Sequence, residues 1–274
     1  MVEQITSYEV YKNLIKEAPL WNNGFTPGMI KKYIVEKRLY AYIFENTLLL
    51  LYDEGEFYQI IVGGKLNDFP PNWNQNLEKK PMVSFVVEEK QQNVELKIFL
   101  LHNGFSYRCF SQEYVCMNFH EFRDTRNLLD IETQIGNEQD YYQIIRLWKE
   151  YLPQIEVPVI TCADLKEFHK KGKLLYIKNK HGVVMAACYF DFFLGTSTIH
   201  HLCVIPECRG HGYAVKLIQT WLEKMRELNG RKARAWIEQT NISSQKAFEK
   251  AGFVTGRTVS HQYVLDMEER KWKN

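Results

Sequence analysis

Two glycines stand between a predicted strand and the most regularly patterned helix of the chain. The sequence there reads Arg209-Gly210-His211-Gly212-Tyr213-Ala214, and apolar residues then recur at helical spacing as far as Leu228. Glycine adopts backbone dihedrals that let successive N–H groups converge on one point, and the first N–H groups of a helix have no partner within that helix. The positive end of the helix dipole adds to their attraction for an anion. The spacing therefore predicts a loop that binds a diphosphate without a cluster of lysines.

The same two glycines also fit a tight connection that binds nothing. Two other phosphate motifs do not fit the loop. The dinucleotide fingerprint needs a third glycine where Val215 stands, and the P-loop needs Gly-Lys followed by Ser or Thr, which is absent here.

The residues around this loop resemble the GNAT superfamily of acetyl-CoA-dependent N-acetyltransferases. The segment Leu202-Cys203-Val204-Ile205-Pro206 is similar to the family's LxVxP strand, and Arg209–Ala214 matches its R/Q-x-x-G-x-G/A motif. A second family motif is matched further along the chain, at Asn241, Ser244, Phe248, Gly252 and Phe253. The resemblance covers about residues 129 to 267.

This resemblance implies a twisted mixed sheet in which two parallel strands part, with acetyl-CoA, the acyl-donor substrate, lying in the gap. The matched positions imply that main-chain groups of Leu202 contact the thioester carbonyl and that the loop amides bind the diphosphate. The expected cofactor contacts are Leu202, Cys203, Val204, Arg209, Gly210, His211, Gly212, Tyr213, Ala214, Asn241, Ser244 and Phe248.

Acetylation of an amine also needs a group that removes a proton from the amine. Strict strand alternation places Thr198, His200 and Leu202 on one face and His201 on the other. We therefore expect His200 to line the cavity beside Leu202 and to act as general base.

The leaving thiolate needs a proton in return. The resemblance implies a tyrosine donor in the second motif, but this chain has Phe248 at that position. Tyr263 on the last predicted strand, or a water molecule, is the expected substitute. Because the thiol of CoA should have a pKa of about 8.5, like that of cysteine, it leaves tolerably without such an acid.

The alternation of strand and helix patterns predicts an α+β fold of the layered α/β type. We expect two GNAT-like domains, each a twisted mixed sheet flanked by helices, at residues 1–125 and 129–274. The division rests on an internal similarity, since Leu100-x-x-x-Gly104-Phe105 matches Phe248-x-x-x-Gly252-Phe253. After a one-residue gap the similarity continues, with Arg108, Ser111, Tyr114 and Val115 matching Arg257, Ser260, Tyr263 and Val264.

The first half contains no counterpart of the glycine loop. We expect it to keep the fold without binding a cofactor, and to wall off the acceptor site or mediate homodimerisation. Only the second half is then expected to be catalytic.

Composition limits the partners of the chain. A formal net charge of +2 gives no extended field for nucleic acid, and no apolar run reaches the ~20 residues that span a bilayer. The N-terminal sequence lacks the pattern of a signal peptide. Six cysteines without CxxC pairs or metal-ligand spacing predict reduced thiols, no metal site and a cytoplasmic location.

Three functions fit these features. The first is an N-acetyltransferase that moves the acetyl group of acetyl-CoA to a primary amine, of a small molecule or peptide, by direct attack in a ternary complex. The second, suggested by Phe248, is a non-catalytic module that binds or senses acyl-CoA. The third is a tandem-fold aminoacyl transferase that uses charged tRNA, which would not need the loop at Arg209–Ala214.

Overall fold

The computed structural model describes residues 2–22, 27–70, 73–75, 77–88, 93–117, 119, 131–132, 137–153 and 160–265. These residues form twelve strands and seven α-helices: β1 (Val2–Gln4), α1 (Tyr8–Glu17), α2 (Pro27–Val35), β2 (Leu39–Phe44), β3 (Thr47–Asp53), β4 (Phe57–Gly64), β5 (Lys80–Glu88), α3 (Val94–His102), β6 (Phe105–Cys116), β7 (Ile131–Glu132), α4 (Glu138–Tyr151), α5 (Cys162–Lys170), β8 (Leu174–Lys178), β9 (Val184–Phe190), β10 (Thr196–Val204), α6 (Tyr213–Glu227), β11 (Lys232–Glu238), α7 (Ile242–Lys250) and β12 (Val254–Leu265). The predicted α+β class, with a mixed sheet and flanking helices, is confirmed.

The chain forms two compact units. Unit 1 comprises Met1–Ser111 and Arg257–Asn274, and unit 2 comprises Gln112–Gly256. Strand β6 therefore begins in unit 1 and ends in unit 2, whereas β12 begins in unit 2 and ends in unit 1.

Unit 1 is built on an antiparallel run of strands in chain order, from β1 to β4. Strand β5 lies parallel to β4, and the C-terminal part of β12 lies antiparallel to β5. Its core includes Leu51, Ile60, Val83 and Phe105, all nearly fully buried.

Unit 2 repeats this succession. Strands β7 to β10 pair antiparallel in chain order, β11 lies parallel to β10, and the end of β6 is the next strand after β11. Apolar residues of α6 and α7, such as Trp221 and Phe248, cover one side of this sheet. Residues of α4 and α5, such as Trp148 and Leu165, belong to the cluster on the other side.

The structure also repeats the similarity between Leu100–Phe105 and Phe248–Phe253. Helices α3 and α7 are both nine residues long, and each is followed by a glycine with positive φ, 83° at Gly104 and 86° at Gly252. A twelve-residue strand then begins in each case. Glycine is required at both helix ends because the left-handed conformation is unfavourable for residues with a Cβ atom.

All six cysteines carry free thiols, and Cys116, Cys188 and Cys203 are buried. Among the described residues, no helix combines the length and the apolar character needed to cross a bilayer. The same residues bring together no group of three or more His, Cys, Asp or Glu side chains that could hold a metal ion.

Candidate functional site

The parallel strands β10 and β11 of unit 2 pair over only part of their length. Their register pairs are Thr196↔Lys232, Ser197↔Ala233 and Thr198↔Arg234. Strand β10 continues to Val204 and β11 to Glu238, but across these fully described segments the two strands form no later register pair. The hydrogen-bonded sheet therefore opens after Thr198 and Arg234.

Strand β10 carries a β-bulge next to this opening. Its register on β9 runs to His200↔Tyr189 and resumes at Cys203↔Ala187, so that His201 and Leu202 stand opposite the single residue Cys188. The backbone at His201 has a φ of 54°, a left-handed value that is uncommon for a non-glycine residue. Bulges of this kind leave main-chain groups out of the strand ladder. The register on β9 thus skips Leu202, whose main chain was expected to contact the thioester.

The bulge changes which way the side chains of β10 point. The rings of His200 and His201 both lie 5.0 Å from the ring of Tyr189. Leu202 instead packs against the core cluster that includes the apolar residues of α6 and α7. The predicted alternation, with His200 and Leu202 on one face and His201 on the other, is therefore wrong. The extra residue at the bulge shifts the period of two by one position.

After β10 the chain turns into the glycine loop. A short 3₁₀ helix at Pro206–Cys208 follows the strand, and the Arg209 side chain folds back so that Nε donates to the carbonyl oxygen of Val204 at 3.2 Å. Gly210 and Gly212 have φ values of 80° and 84°, and a Cβ atom at either position would meet no atom within 4 Å. These glycines are required by backbone conformation, and the space in front of them is open.

Helix α6 begins without a side-chain cap. Its N-cap residue Gly212 is left-handed and has no side chain to accept a hydrogen bond. Within the part of the chain that the structure describes, the first N–H of this helix to find an acceptor is that of Lys216, which bonds to the Gly212 carbonyl; the N–H groups of residues 210–215 donate no hydrogen bond there. Residues 209–212 are exposed, and Tyr213 and Ala214 are partly buried. Several donors at the positive end of one helix thus face open space, which is the arrangement that binds a diphosphate.

A polar cluster lies on β10 beside the point where the strands part. His200 Nε2 is 3.2 Å from Asp191 Oδ2, and the backbone N–H of Thr198 donates to Asp191 Oδ1 at 2.9 Å. Arg234 donates through Nε and Nη2 to Thr198 Oγ1 at 3.2 Å and 3.0 Å, and its guanidinium lies over the ring of Trp236.

The charges of this cluster favour an ionised Asp191. Partial burial acts to raise the pKa of its carboxyl group, but the hydrogen bond and charge of His200, the Thr198 N–H and the charge of Arg234 outweigh it and hold the pKa below its ordinary value. An ionised carboxylate can only accept hydrogen bonds, so His200 Nε2 must be the donor in this pair.

His201 is placed differently from its neighbour. Its ring lies between Trp148 and Tyr189, and its buried Nδ1 has no hydrogen-bond partner among the described residues. Burial first, and the charge of His200 second, lower the pKa of His201 to about 3. His201 is therefore neutral at physiological pH and lacks the ordinary basicity of histidine.

The residues of the second motif hold the start and core of α7. Asn241 is the N-cap, and its Oδ1 accepts from the N–H of Ser244 at 3.1 Å and from the hydroxyl of Ser243 at 3.0 Å. Phe248 is only 3% exposed and packs edge-on against Phe253, with ring centroids 5.0 Å apart. Asn241 is thus an exposed cap, whereas Phe248 is a core residue.

The remaining predicted site residues are spread over both units. Cys203 is buried, and burial raises the pKa of its thiol to about 11. The exposed His211 ring has Nδ1 3.0 Å from the carbonyl oxygen of Arg209. Tyr263 belongs to the core of unit 1, where its ring stacks on Phe85 and burial raises the pKa of its hydroxyl. His200 and Leu202 therefore both lie on β10, the strand that leads into the loop, but their side chains contact different clusters, and Tyr263 lies in unit 1.

Sequence reasoning missed Asp191, Tyr189 and Arg234 as members of the polar cluster. Asp191 is the first residue after β9, and the β9–β10 hairpin brings it opposite Thr198. The signal was available, because pairing the two predicted strands as a hairpin places an acid at the turn within reach of His200.

Comparison with known proteins supports the resemblance of the second half. Residues 138–253 match the model of the acetyltransferase (GNAT) family. A protein of Archaeoglobus fulgidus described as an uncharacterized N-acetyltransferase is 27% identical over 134 residues, which cover 43% of this chain and 89% of that protein.

Solved structures share the fold over a greater length. An acetyltransferase from the GNAT family of Colwellia psychrerythraea superposes with a TM-score of 0.53 and 15% identity, covering 97% of this chain and 100% of its own. A GCN5-related N-acetyltransferase of Kribbella flavida gives a TM-score of 0.57 at 9% identity, covering 88% and 96% of the two chains.

At these identities the two structures show the fold alone. The match to the family model contains the opened strand pair, the bulge at His201 and the uncapped start of α6. Over residues 138–253 the chain is therefore similar to acetyltransferases of the GNAT family.

Proposed function

We propose that this protein transfers the acetyl group of acetyl-CoA to a primary amine of a small molecule or peptide, by direct attack in a ternary complex. One observation carries the proposal: the strand that separates from its parallel neighbour leads directly into a loop whose N–H groups are open to an anion. A thioester lying along β10 would thereby have its diphosphate at the start of α6.

In the proposed complex the main-chain N–H groups of residues 210–214 hold the diphosphate, since the N–H of Arg209 already donates to the carbonyl oxygen of Pro206. Main-chain groups of Leu202, at the bulge, are available to polarise the thioester carbonyl, where negative charge develops during the reaction. Asn241 and Ser244, exposed or partly exposed at the start of α7, remain candidates for contact with the pantetheine arm. Phe248 is buried, so we assign it to stabilising the core and not to direct contact with acetyl-CoA.

The reaction forms one bond and breaks one. The amine nitrogen attacks the carbonyl carbon, an N–C bond forms, and the C–S bond of the thioester breaks. One proton leaves the amine nitrogen and one is delivered to the CoA sulfur. We assign the first proton to His200, whose ring is about one-third exposed and hydrogen-bonded to Asp191. The second comes from water, because Tyr263 is buried in the core of unit 1.

The N-terminal half has a proposed role of its own. The repeated succession in the two units, with matching helix ends at Gly104 and Gly252, supports a tandem of two GNAT-like domains, at residues 1–125 and 129–274, that diverged after duplication. Unit 1 has no helix between β4 and β5 in its described residues, whereas α6 stands between β10 and β11. We assign acetyl-CoA binding to the second domain only.

The alternative function, a non-catalytic acyl-CoA-binding module, is favoured by one observation. Phe248 stands at the position of the expected general acid. Its side chain cannot donate a proton to the CoA sulfur and is buried in the core.

Incubation of the full chain with acetyl-CoA and a panel of primary amines tests the proposal. Cys109, Cys162 and Cys208 are partly exposed thiols, so CoA and the acetylated product should be measured by chromatography and not with a thiol-reactive dye. Equal amounts of CoA and acetamide support the proposal. Tight binding of acetyl-CoA without turnover on any amine supports the module, and absence of binding contradicts both functions.

A further inference from the structure

We propose that Asp191 is a positioning residue that fixes His200 in the tautomer with hydrogen on Nε2, so that Nδ1 is the nitrogen able to accept a proton. The inference rests on the proposed function for its catalytic meaning. The tautomer itself is a property of the free protein and can be measured without any turnover.

The Asp191 main chain is anchored to the neighbouring strand. Its N–H donates to the carbonyl oxygen of Thr198 at 3.0 Å, and its own carbonyl oxygen accepts from the hydroxyl of Ser197. That hydroxyl in turn accepts at 2.8 Å from Nε1 of Trp221, a residue with no exposed surface. The anchor therefore reaches from the surface into the core of unit 2.

The Asp191 side chain is divided between two donors. Oδ1 accepts from the N–H of Thr198 at 2.9 Å, which leaves Oδ2 directed at His200 Nε2, 3.2 Å away. Both side chains are partly exposed, 56% for Asp191 and 35% for His200, so solvent screening leaves this pair only a small contribution to stability. Its importance lies in geometry, because a fixed carboxylate decides which ring nitrogen carries the hydrogen.

The His200 ring is also held through its face. It stacks on the Tyr189 ring with centroids 5.0 Å apart and planes at 20°. A ring stacked in this way and bonded at Nε2 has one orientation, and its free nitrogen has one direction. The contacts of His200 with Asp191 and Tyr189 do not involve Leu202 or the loop at Arg209–Ala214. A variant of Asp191 should therefore leave acetyl-CoA binding intact.

The substitution Asp191→Asn tests the inference because the Thr198 N–H selects the orientation of the new amide. The amide oxygen must stay on that N–H, and the NH₂ group then points at His200 Nε2. A donor facing Nε2 forces that nitrogen to accept, and the hydrogen moves to Nδ1. The predicted result is an inverted tautomer in a protein of unchanged fold.

The tautomer is read from ¹⁵N chemical shifts of the imidazole nitrogens in long-range ¹H–¹⁵N spectra at pH 9, where histidines of ordinary pKa are neutral. His200→Gln identifies the resonance by its loss. Asp164→Asn is the matched control, since the Asp164 carboxylate also accepts a backbone N–H, that of Thr161, at the start of α5 in the same unit.

We expect hydrogen on Nε2 in the unmodified protein and in Asp164→Asn, and on Nδ1 in Asp191→Asn. With a reactive amine, Asp191→Asn should lower kcat about tenfold to 10²-fold while the KM for acetyl-CoA stays within about twofold, because general-base catalysis is worth about 10²–10⁴-fold and only its orientation is lost. Asp164→Asn should leave both constants within about twofold.

Hydrogen on Nδ1 in the unmodified protein, or an unchanged tautomer in Asp191→Asn, overturns the inference whatever the activity. An inverted tautomer with unchanged kcat supports the positioning by Asp191 and removes His200 from the proposed mechanism. The two failures are therefore distinguishable.

Discussion

The substitution Gly212→Asp tests the diphosphate site at its centre. Gly212 is the left-handed N-cap of α6, and a Cβ atom there would point into open space. The new carboxylate would lie beside the N–H groups that we assign to the diphosphate. It would repel the ligand and compete for the same donors.

The size of the effect follows from Coulomb's law. Two unit charges about 4 Å apart repel by about 1 kcal/mol in bulk water and by about 4 kcal/mol at an effective dielectric constant of 20. Because residues 209–212 are exposed, the lower part of this range applies to each phosphate charge. Two such charges give about 2–4 kcal/mol, which corresponds to a loss of affinity for acetyl-CoA of about 30-fold to 10³-fold.

Two matched variants separate charge from backbone strain. Gly212→Asn has nearly the shape of Asp without its charge and tolerates left-handed dihedrals, so we expect a smaller loss of affinity. Gly182→Asp places the same carboxylate on a glycine with φ of 77° and equal open space, in the turn between β8 and β9, and should bind acetyl-CoA like the unmodified chain.

Isothermal titration calorimetry with CoA gives Kd for each variant, and urea unfolding checks that the fold is kept. The affinity of Gly212→Asp should recover partly at 1 M salt, where the Debye length shrinks to about 3 Å. A Kd for Gly212→Asp within about threefold of the unmodified value, or an equal loss in Gly182→Asp, would refute the assignment of the diphosphate to this loop.

Three further predictions address the neighbouring residues. His200→Ala should lower kcat about 10²-fold or more at pH 7 and less at pH 10, where more of the amine is already neutral. An equal loss of kcat at both pH values, relative to the unmodified protein in steady-state kinetics, would remove His200 as the base. Phe248→Leu should lower the free energy of unfolding by about 1 kcal/mol and keep Kd for CoA within about threefold, since the side chain is buried in the core; a tenfold weaker Kd at full stability would place Phe248 against the cofactor. Because the pKa of His201 is lowered to about 3, the unfolded chain binds a proton below pH 6.5 that the folded chain does not, so stability is lost as pH falls from 6.5 towards 3. The free energy of unfolding should fall by about 2 kcal/mol from pH 7.5 to pH 5 for this reason. Urea unfolding should show that this difference is absent in His201→Phe and kept in the exposed-site control His181→Gln. An identical pH dependence in His201→Phe and the unmodified chain would contradict the buried neutral ring.

Local patterns of sequence predicted the main elements of the site. The helical spacing of Leu217, Ile218, Trp221 and Met225 indicated α6, and all four side chains are buried in the core of unit 2. The glycines before it indicated an uncapped helix start, and the structure has left-handed backbone there. Such features are decided by residues close in sequence, which is why they could be read without a fold.

The bulge at His201 could not be read in the same way. Histidine is enriched among non-glycine residues with positive φ, but most histidines have negative φ, so His201 alone does not indicate a bulge. Alternation of polar and apolar residues was the only guide to which face each side chain takes. The bulge reverses the alternation for Leu202. His200 therefore contacts Tyr189 and Asp191 and does not share a face with Leu202.

The path of the long strands was equally beyond local reasoning. Strand β12 follows α7 in unit 2 but pairs with β5 in unit 1, from Thr258↔Glu88 to Val264↔Met82. The choice of strand partner depends on side-chain packing between segments far apart in the chain, and the local sequence around Gly256 does not indicate it.

The structure of the complex with acetyl-CoA tests the central claim most directly. The account predicts that the diphosphate oxygens lie within hydrogen-bond distance of N–H groups between Gly210 and Ala214, and that the thioester runs along the opened edge of β10 beside Leu202. Acetyl-CoA bound with its diphosphate away from the start of α6, or with β10 and β11 paired along their full length, would contradict it.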